Sequence, residues 1–115
     1  GTTNYSKGIP IFAISIAVHY KNKRSIGFVY IPYLDDLYYA IEGEGAFFND
    51  ERMPAIKEVE MNQSVIASGF PYDRMINPDN NVKYAARVIP LVKGFRRLGA
   101  AAYDLCLVAV CLHAE

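Results

Sequence analysis

The sequence predicts a mixed α/β domain of the α+β type, in which an antiparallel strand meander is followed by strand, helix, strand and helix. Short runs of β-branched and aromatic residues, separated by turns, fill most of the first half of the chain. Apolar residues at helical spacing occur only in the second half. The chain has 115 residues, 52% of them hydrophobic and 21% charged, which is the composition of a single folded domain.

The first half reads as a loop followed by four strands. Residues 1–10 are rich in Gly, Thr, Asn, Ser and Pro, and this composition predicts a loop. Residues 11–20 predict a well-buried strand, which a polar turn at residues 21–24 joins to a second strand as a hairpin. Two shorter strands are expected at residues 37–41 and 46–48, which completes the antiparallel meander.

The second half alternates strands and helices. Residues 49–63, interrupted by Pro54, predict an edge segment and a connecting loop. We expect the later elements to be a strand at 65–68, a helix at about 79–89, a strand at 95–98 and a helix from Gly99 through at least Leu112.

Charge and hydropathy exclude several classes of partner. Twelve basic residues are balanced by twelve acidic ones, so no basic excess exists for nucleic acid, and nucleic acid is an unlikely partner. The longest apolar stretch, residues 105–112, is far shorter than the roughly 20 residues of a membrane-spanning helix, so no membrane is expected.

The cysteines and the two ends of the sequence lead to further expectations. Cys106 and Cys111 are five apart in one apolar run, a spacing that favours a buried helix over a disulfide. With no signal-peptide pattern, this predicts a reducing, cytoplasmic location. The first residue is Gly1 and the last residues continue an apolar run, so we expect a piece of a longer polypeptide.

Taken singly, the polar motifs each have two interpretations. The Gly-Thr-Thr segment at residues 1–3 can present amides and a hydroxyl to an anion, or be an ordinary polar loop. The small residues at 99–102 permit the approach of a ligand or simply close packing. Arg96 and Arg97 could clamp a phosphate, although neighbours in a strand point to opposite faces. His19 is more typical of a core or rim position than of a ligand.

In combination and order, these motifs resemble the inositol monophosphatase family. The resemblance covers essentially the whole chain. It is carried by Gly1-Thr2-Thr3-Asn4-Tyr5 with Gly8-Ile9-Pro10, Gly27-Phe28-Val29-Tyr30, Gly43-Glu44-Gly45-Ala46-Phe47, Ser68-Gly69-Phe70-Pro71-Tyr72, and Arg96-Arg97-Leu98-Gly99 with Ala101-Ala102 and Asp104-Leu105.

The resemblance implies a function and the residues that serve it. The fold would be part of the layered α-β-α-β-α sugar phosphatase fold, and the reaction Mg²⁺-dependent hydrolysis of a phosphate monoester of a small polyol, of the inositol monophosphate type. Gly1 and Thr2 would bind phosphate through backbone amides, and the Thr2 hydroxyl would orient the attacking water. Gly99, Ala100 and Ala101 would line the substrate alcohol, although the family mostly carries Ser or Thr at the position of Ala100.

The same resemblance places the metal ligands outside these residues. The family's ligands are an upstream glutamate, two aspartates immediately before the position of Gly1 and an aspartate beyond Glu115. Residues 1–63 would then belong with an N-terminal portion, and residues 64–115 would begin a C-terminal α/β portion. A cytoplasmic, lithium-sensitive homodimer is implied for the whole protein.

Two alternatives stay open. The first is a fructose-bisphosphatase or 3′-phosphonucleotide phosphatase of the same superfamily. The second is a non-catalytic protein that keeps the fold to bind a partner of the RNA-polymerase type or another protein.

Overall fold

A computed structural model describes residues 1–110 of the chain, which form two compact units. The first unit contains Gly1–Lys57 and the described residues from Gly99 onward, and the second contains Glu58–Leu98. The first unit holds α1 (Thr2–Ser6), β1 (Ile14–Tyr20), β2 (Lys23–Ile31), β3 (Asp36–Ile41), β4 (Gly45–Phe48), β5 (Glu51–Arg52) and α3 (Ala101–Val110). The second holds β6 (Val65–Ala67), α2 (Val82–Val88) and β7 (Gly94–Arg96), with 3₁₀ turns at Met61–Gln63 and Ile89–Leu91.

The predicted antiparallel meander is confirmed. The five strands of the first unit are ordered β1-β2-β3-β4-β5, and each pairs antiparallel with the next. Lys21 and Asn22 form the β1–β2 turn with φ of 49° and 61°, the left-handed geometry of a two-residue hairpin turn. Because this turn needs only two residues, β2 begins at Lys23, earlier than the sequence predicts.

One face of the sheet packs against helix α3. Ile31 and Tyr38 are 0% and 5% exposed. The Tyr38 ring stacks on Phe48, with 4.7 Å between ring centroids, and lies 6.3 Å from the ring of Tyr103 on α3. Aromatic pairs at these separations stabilise a fold beyond the area they bury. This packing fixes α3 on the sheet, and with it the chain segment that enters the helix.

The predicted burial of β1 is wrong. All seven of its residues are exposed, His19 included. β1 is the first strand of the sheet, and within residues 1–110 it pairs with β2 alone. Its apolar residues Ile14, Ile16 and Val18 pair with Tyr30, Phe28 and Ile26, which places them on the face opposite Tyr38.

The predicted loop at residues 1–10 is wrong over residues 2–6, which form helix α1. The helix ends in a Schellman motif. Gly8, with φ of 70°, donates its N–H to the Tyr5 carbonyl, and Ile9 donates to the Asn4 carbonyl. Gly8 therefore terminates this one-turn helix.

The second unit confirms the predicted order of strand, helix and strand. β6 and β7 pair in parallel, with α2 between them in sequence, and Ala85 of α2 is buried. The helix begins later than predicted because Asn81, at its N-cap, has a left-handed φ of 65°. The last strand is shorter than predicted and ends at Arg96.

Helix α3 confirms the last predicted element as far as Val110, but its predicted burial is wrong, because none of the residues Ala101–Val110 is fully buried. Its predicted continuation to Leu112, and Cys111, lie outside the described residues. Cys106 is a half-buried free thiol, and burial raises its pKa. Within residues 1–110, no helix has the length and apolar character needed to cross a bilayer.

Candidate functional site

One face of helix α1 packs against the chain that leads into β1. A Cβ atom added at Gly1 would lie 2.7 Å from Phe12 Cα and 3.0 Å from the Ile11 carbonyl oxygen, so no side chain fits there. Asn4 Nδ2 donates to that Ile11 carbonyl at 2.7 Å, and the Tyr5 ring meets the Phe12 ring edge-on at 5.1 Å. Positions 1, 4 and 5 share a helix face. That face packs against the chain leading into β1.

Thr2 and Thr3 are both exposed. The N–H groups of a first helical turn have no acceptor within the helix, and no side-chain cap bond is made at Gly1. Thr2 is therefore exposed at the first turn of α1, and the phosphate-binding roles of Gly1 and Thr2 remain predictions.

The other predicted segment leads into helix α3. Gly99 has a left-handed φ of 79°, which glycine adopts without strain. Ala100 is 3% exposed, and its carbonyl accepts the Asp104 N–H at 3.0 Å, which makes Ala100 the N-cap residue. Ala101 is exposed. Ala100 thus packs inside the protein, whereas Ala101 is the alanine that a ligand could reach.

The structure brings these two segments together through Asn4. A Cβ atom added at Gly99 would lie 3.0 Å from Asn4 Nδ2 and 3.1 Å from Asn4 Oδ1. The Asn4 side chain therefore fills the space beside the entry to α3. Sequence reasoning assigned no role to Asn4. The available signal was its place in the Gly-Thr-Thr-Asn run.

Asp104 is the acidic side chain in the first turn of α3. Its Oδ1 is buried and has no hydrogen-bond partner among the described residues, and burial raises the Asp104 pKa. A lone carboxyl does not make a divalent-metal site. Among residues 1–110, no group of three or more His, Cys, Asp or Glu side chains is placed to hold a metal ion.

The two arginines that could clamp a phosphate lie in the second unit. Arg96 donates to the Phe95 carbonyl at 3.1 Å, and the Arg97 guanidinium lies over the Phe70 ring, 5.4 Å from its centroid. Arg97 follows β7, so the alternation expected for strand neighbours does not apply to this pair.

Comparison with known proteins decides the family. The model of the inositol monophosphatase family matches residues 1–111. The chain belongs to the inositol monophosphatase family. It is 39% identical over 109 residues to an inositol-1-monophosphatase of Mesorhizobium japonicum, and 38% identical over 109 residues to the Nus factor SuhB of Pasteurella multocida. These alignments cover 95% of this chain and 41% of each relative.

The fold agrees with this family membership. The structure of an inositol monophosphatase from Anabaena (Nostoc) sp. PCC 7120 superposes with a TM-score of 0.88 at 34% identity, over 97% of this chain and 46% of that one. The chain thus spans less than half the length of these relatives. The family consists of phosphatases that are generally metal-dependent, and the predicted family and fold class are confirmed.

Proposed function

We propose that the whole protein hydrolyses a phosphate monoester of a small polyol, of the inositol monophosphate type, in a Mg²⁺-dependent reaction. Membership of the inositol monophosphatase family and the similarity to the Mesorhizobium japonicum inositol-1-monophosphatase support the proposal. The metal would be held by residues outside 1–110. A cytoplasmic, lithium-sensitive homodimer belongs to the same proposal.

This chain would contribute the phosphate-binding and alcohol-side residues. The backbone amides of Gly1 and Thr2 would bind phosphate oxygens, and the Thr2 hydroxyl would orient the attacking water. Gly99 and Ala101 would leave room for the substrate alcohol, with Ala100 packed beneath them. Exposure of Thr2 and Ala101 supports these roles, whereas Ala100, predicted to line the substrate alcohol with them, is buried and is given a packing role instead.

One observation carries the proposal. The Asn4 side chain, on the helix that contains Thr2, lies against Gly99, at the entry to α3. Segments from the two ends of the chain, each singled out by the family resemblance, are therefore neighbours within the first unit. A phosphate and its alcohol must be bound at neighbouring positions, because the ester bond joins them.

The test is phosphate release by the purified whole protein from three substrates: inositol monophosphate, fructose bisphosphate and a 3′-phosphonucleotide. Each is assayed with Mg²⁺ and with a chelator. We expect Mg²⁺-dependent release that is fastest with inositol monophosphate. Faster release from either other substrate would favour the corresponding alternative within the superfamily.

A second candidate is the non-catalytic, partner-binding protein. It is favoured by the relative in Pasteurella multocida that carries the name Nus factor SuhB. A folded whole protein that releases phosphate from none of the three substrates would support this candidate against the phosphatase.

A further inference from the structure

Asn4 joins three parts of the first unit. Its Nδ2 donates to the Ile11 carbonyl at 2.7 Å, which ties α1 to the chain entering β1. Its own carbonyl accepts the N–H groups of Lys7 at 3.1 Å and Ile9 at 2.9 Å, which close the C-terminal end of α1. The third part is the entry to α3, where the side chain lies beside Gly99.

The Asn4 side chain leaves little room for a side chain at position 99. A Cβ atom at position 99 would be within about 3 Å of both terminal atoms of the Asn4 carboxamide. The left-handed φ of 79° favours glycine independently. The backbone conformation favours glycine at position 99, and a larger residue there would also require the Asn4 carboxamide to shift by a few tenths of an ångström.

We propose that Asn4 is a positioning residue, which sets the phosphate-binding segment at Gly1 and Thr2 against the alcohol-side segment at Gly99 and Ala101. The inference rests on the proposed phosphatase function. Asn4 lies on the packed face of α1, whereas Thr2 is exposed, so Asn4 acts through the backbone that it holds. A shift of about 1 Å between groups that bind the two ends of a substrate can cost on the order of 10²-fold in rate.

The first experiment tests the contact without any activity measurement. Asn4→Ala, Gly99→Ala and the double variant of the whole protein are compared by denaturant unfolding. In the wild-type background, Gly99→Ala introduces both a contact with Asn4 and backbone strain. With Ala at position 4 only the strain remains, so we expect Gly99→Ala to destabilise less in that background. Purely additive effects would show that Asn4 and Gly99 do not interact.

The second experiment tests positioning. Asn4→Ala is expected to lower kcat by about tenfold or more while KM changes little, because each segment still binds its end of the substrate but their alignment is lost. Asn4→Asp keeps the shape, loses the N–H donor to Ile11, and should also lower kcat. The assays are run well below the melting temperature, with the folded fraction measured, so that loss of stability alone does not lower kcat.

Ser6→Ala is the matched control. Ser6 Oγ donates to the Thr3 carbonyl at 2.9 Å, so this variant also removes one side-chain hydrogen bond on α1, but one that stays within the helix. Its kcat should equal that of the wild type. An active wild type whose Asn4→Ala variant keeps normal kcat would overturn the positioning role alone. An inactive, folded wild type would overturn the proposed function, and this inference with it.

Discussion

Thr2 and Asn4 are two positions apart on one turn of helix, so their side chains point in different directions. Asn4 is bonded to Ile11, whereas Thr2 is exposed. The packed face of α1 that contains Asn4 fixes the helix, while Thr2, on a different face, stays available to a water or a phosphate.

For the whole protein, we therefore expect Thr2→Ala to lower kcat by on the order of 10². The reason is the loss of a hydroxyl that orients the attacking water. The measurement is turnover of inositol monophosphate at saturating Mg²⁺. Thr3→Ala, an identical change at the neighbouring exposed position, is the control. Near-normal turnover by Thr2→Ala would remove Thr2 from the mechanism.

Tyr30 gives a prediction about pH at the same scale. Its phenol donates to Asp35 Oδ1 at 2.7 Å, and this hydrogen bond, followed by burial and the Asp35 charge, raises the Tyr30 pKa. A pKa raised in the folded state stabilises the fold below the unfolded value of 10.0. We expect this stabilisation to be lost as pH rises from there through the folded pKa.

The measurement is an NMR titration of the tyrosine rings in wild type and in Asp35→Asn. Asparagine tolerates the left-handed backbone of position 35, where φ is 55°. The Tyr30 pKa should fall in the variant. Tyr39, whose pKa is raised chiefly by burial and then by Asp50, should not change and serves as the internal control. An unchanged Tyr30 pKa would contradict the assigned cause.

At the scale of elements, the N-terminus of α3 combines one buried and one exposed alanine. Bulk added at the exposed position should obstruct the approach of a ligand without disturbing the packing of Ala100. We expect Ala101→Leu to raise KM or abolish activity in the whole protein while costing little stability.

Val108→Leu is the control for that prediction, because it adds apolar bulk at an exposed position farther along the same helix. An unchanged KM in folded Ala101→Leu would show that residues 99–101 serve packing alone.

The elements also show how far the sequence predicts the structure. The meander was predictable because each strand is bounded by local turn residues, such as Lys21 and Asn22, whose effect depends on few neighbours. The exposure of β1 could not be predicted, because an apolar composition does not indicate whether a strand lies at the edge of a sheet. Helix α1 was not predicted, because the Gly, Thr, Asn and Ser residues of this segment are typical both of loops and of helix ends. Its stability depends on the Schellman motif at Gly8 and on contacts with Ile11 and Phe12.

At the scale of the whole molecule, the candidate site could be predicted only in pieces. The order of the motifs predicted the family, which is confirmed, and the resemblance also implied site roles for Gly1, Thr2 and the residues around Gly99, which stay predictions. The contact between Asn4 and Gly99 joins the two ends of the chain, and no local pattern encodes such a contact. The left-handed φ of Gly99 and the lack of space beside it depend on the packing of α3 on the sheet, so they could not be predicted from the sequence.

The last prediction concerns the 115-residue chain by itself, which we expect to be inactive as a phosphatase and to bind Mg²⁺ no better than scattered surface carboxylates do. Mg²⁺ requires near-octahedral oxygen ligands that include one or two fixed carboxylates. In the described part of the chain, no three His, Cys, Asp or Glu side chains are grouped so that they could hold a metal ion. At the β2–β3 turn, Asp35 accepts a hydrogen bond from Tyr30 and Asp36 accepts one from Asn49. Asp104 lies on α3, where burial raises its pKa.

Isothermal titration with Mg²⁺, followed by a phosphate-release assay on inositol monophosphate, measures both properties of the isolated chain. The whole protein, assayed in parallel, is the positive control. Without the metal, the amides at the start of α1 would hold an anion only weakly, since nothing would neutralise the phosphoryl oxygens or activate a water. Metal-dependent turnover by the isolated chain would therefore mean that its own carboxylates form a catalytic centre, and that the site lies elsewhere than at Thr2 and Gly99.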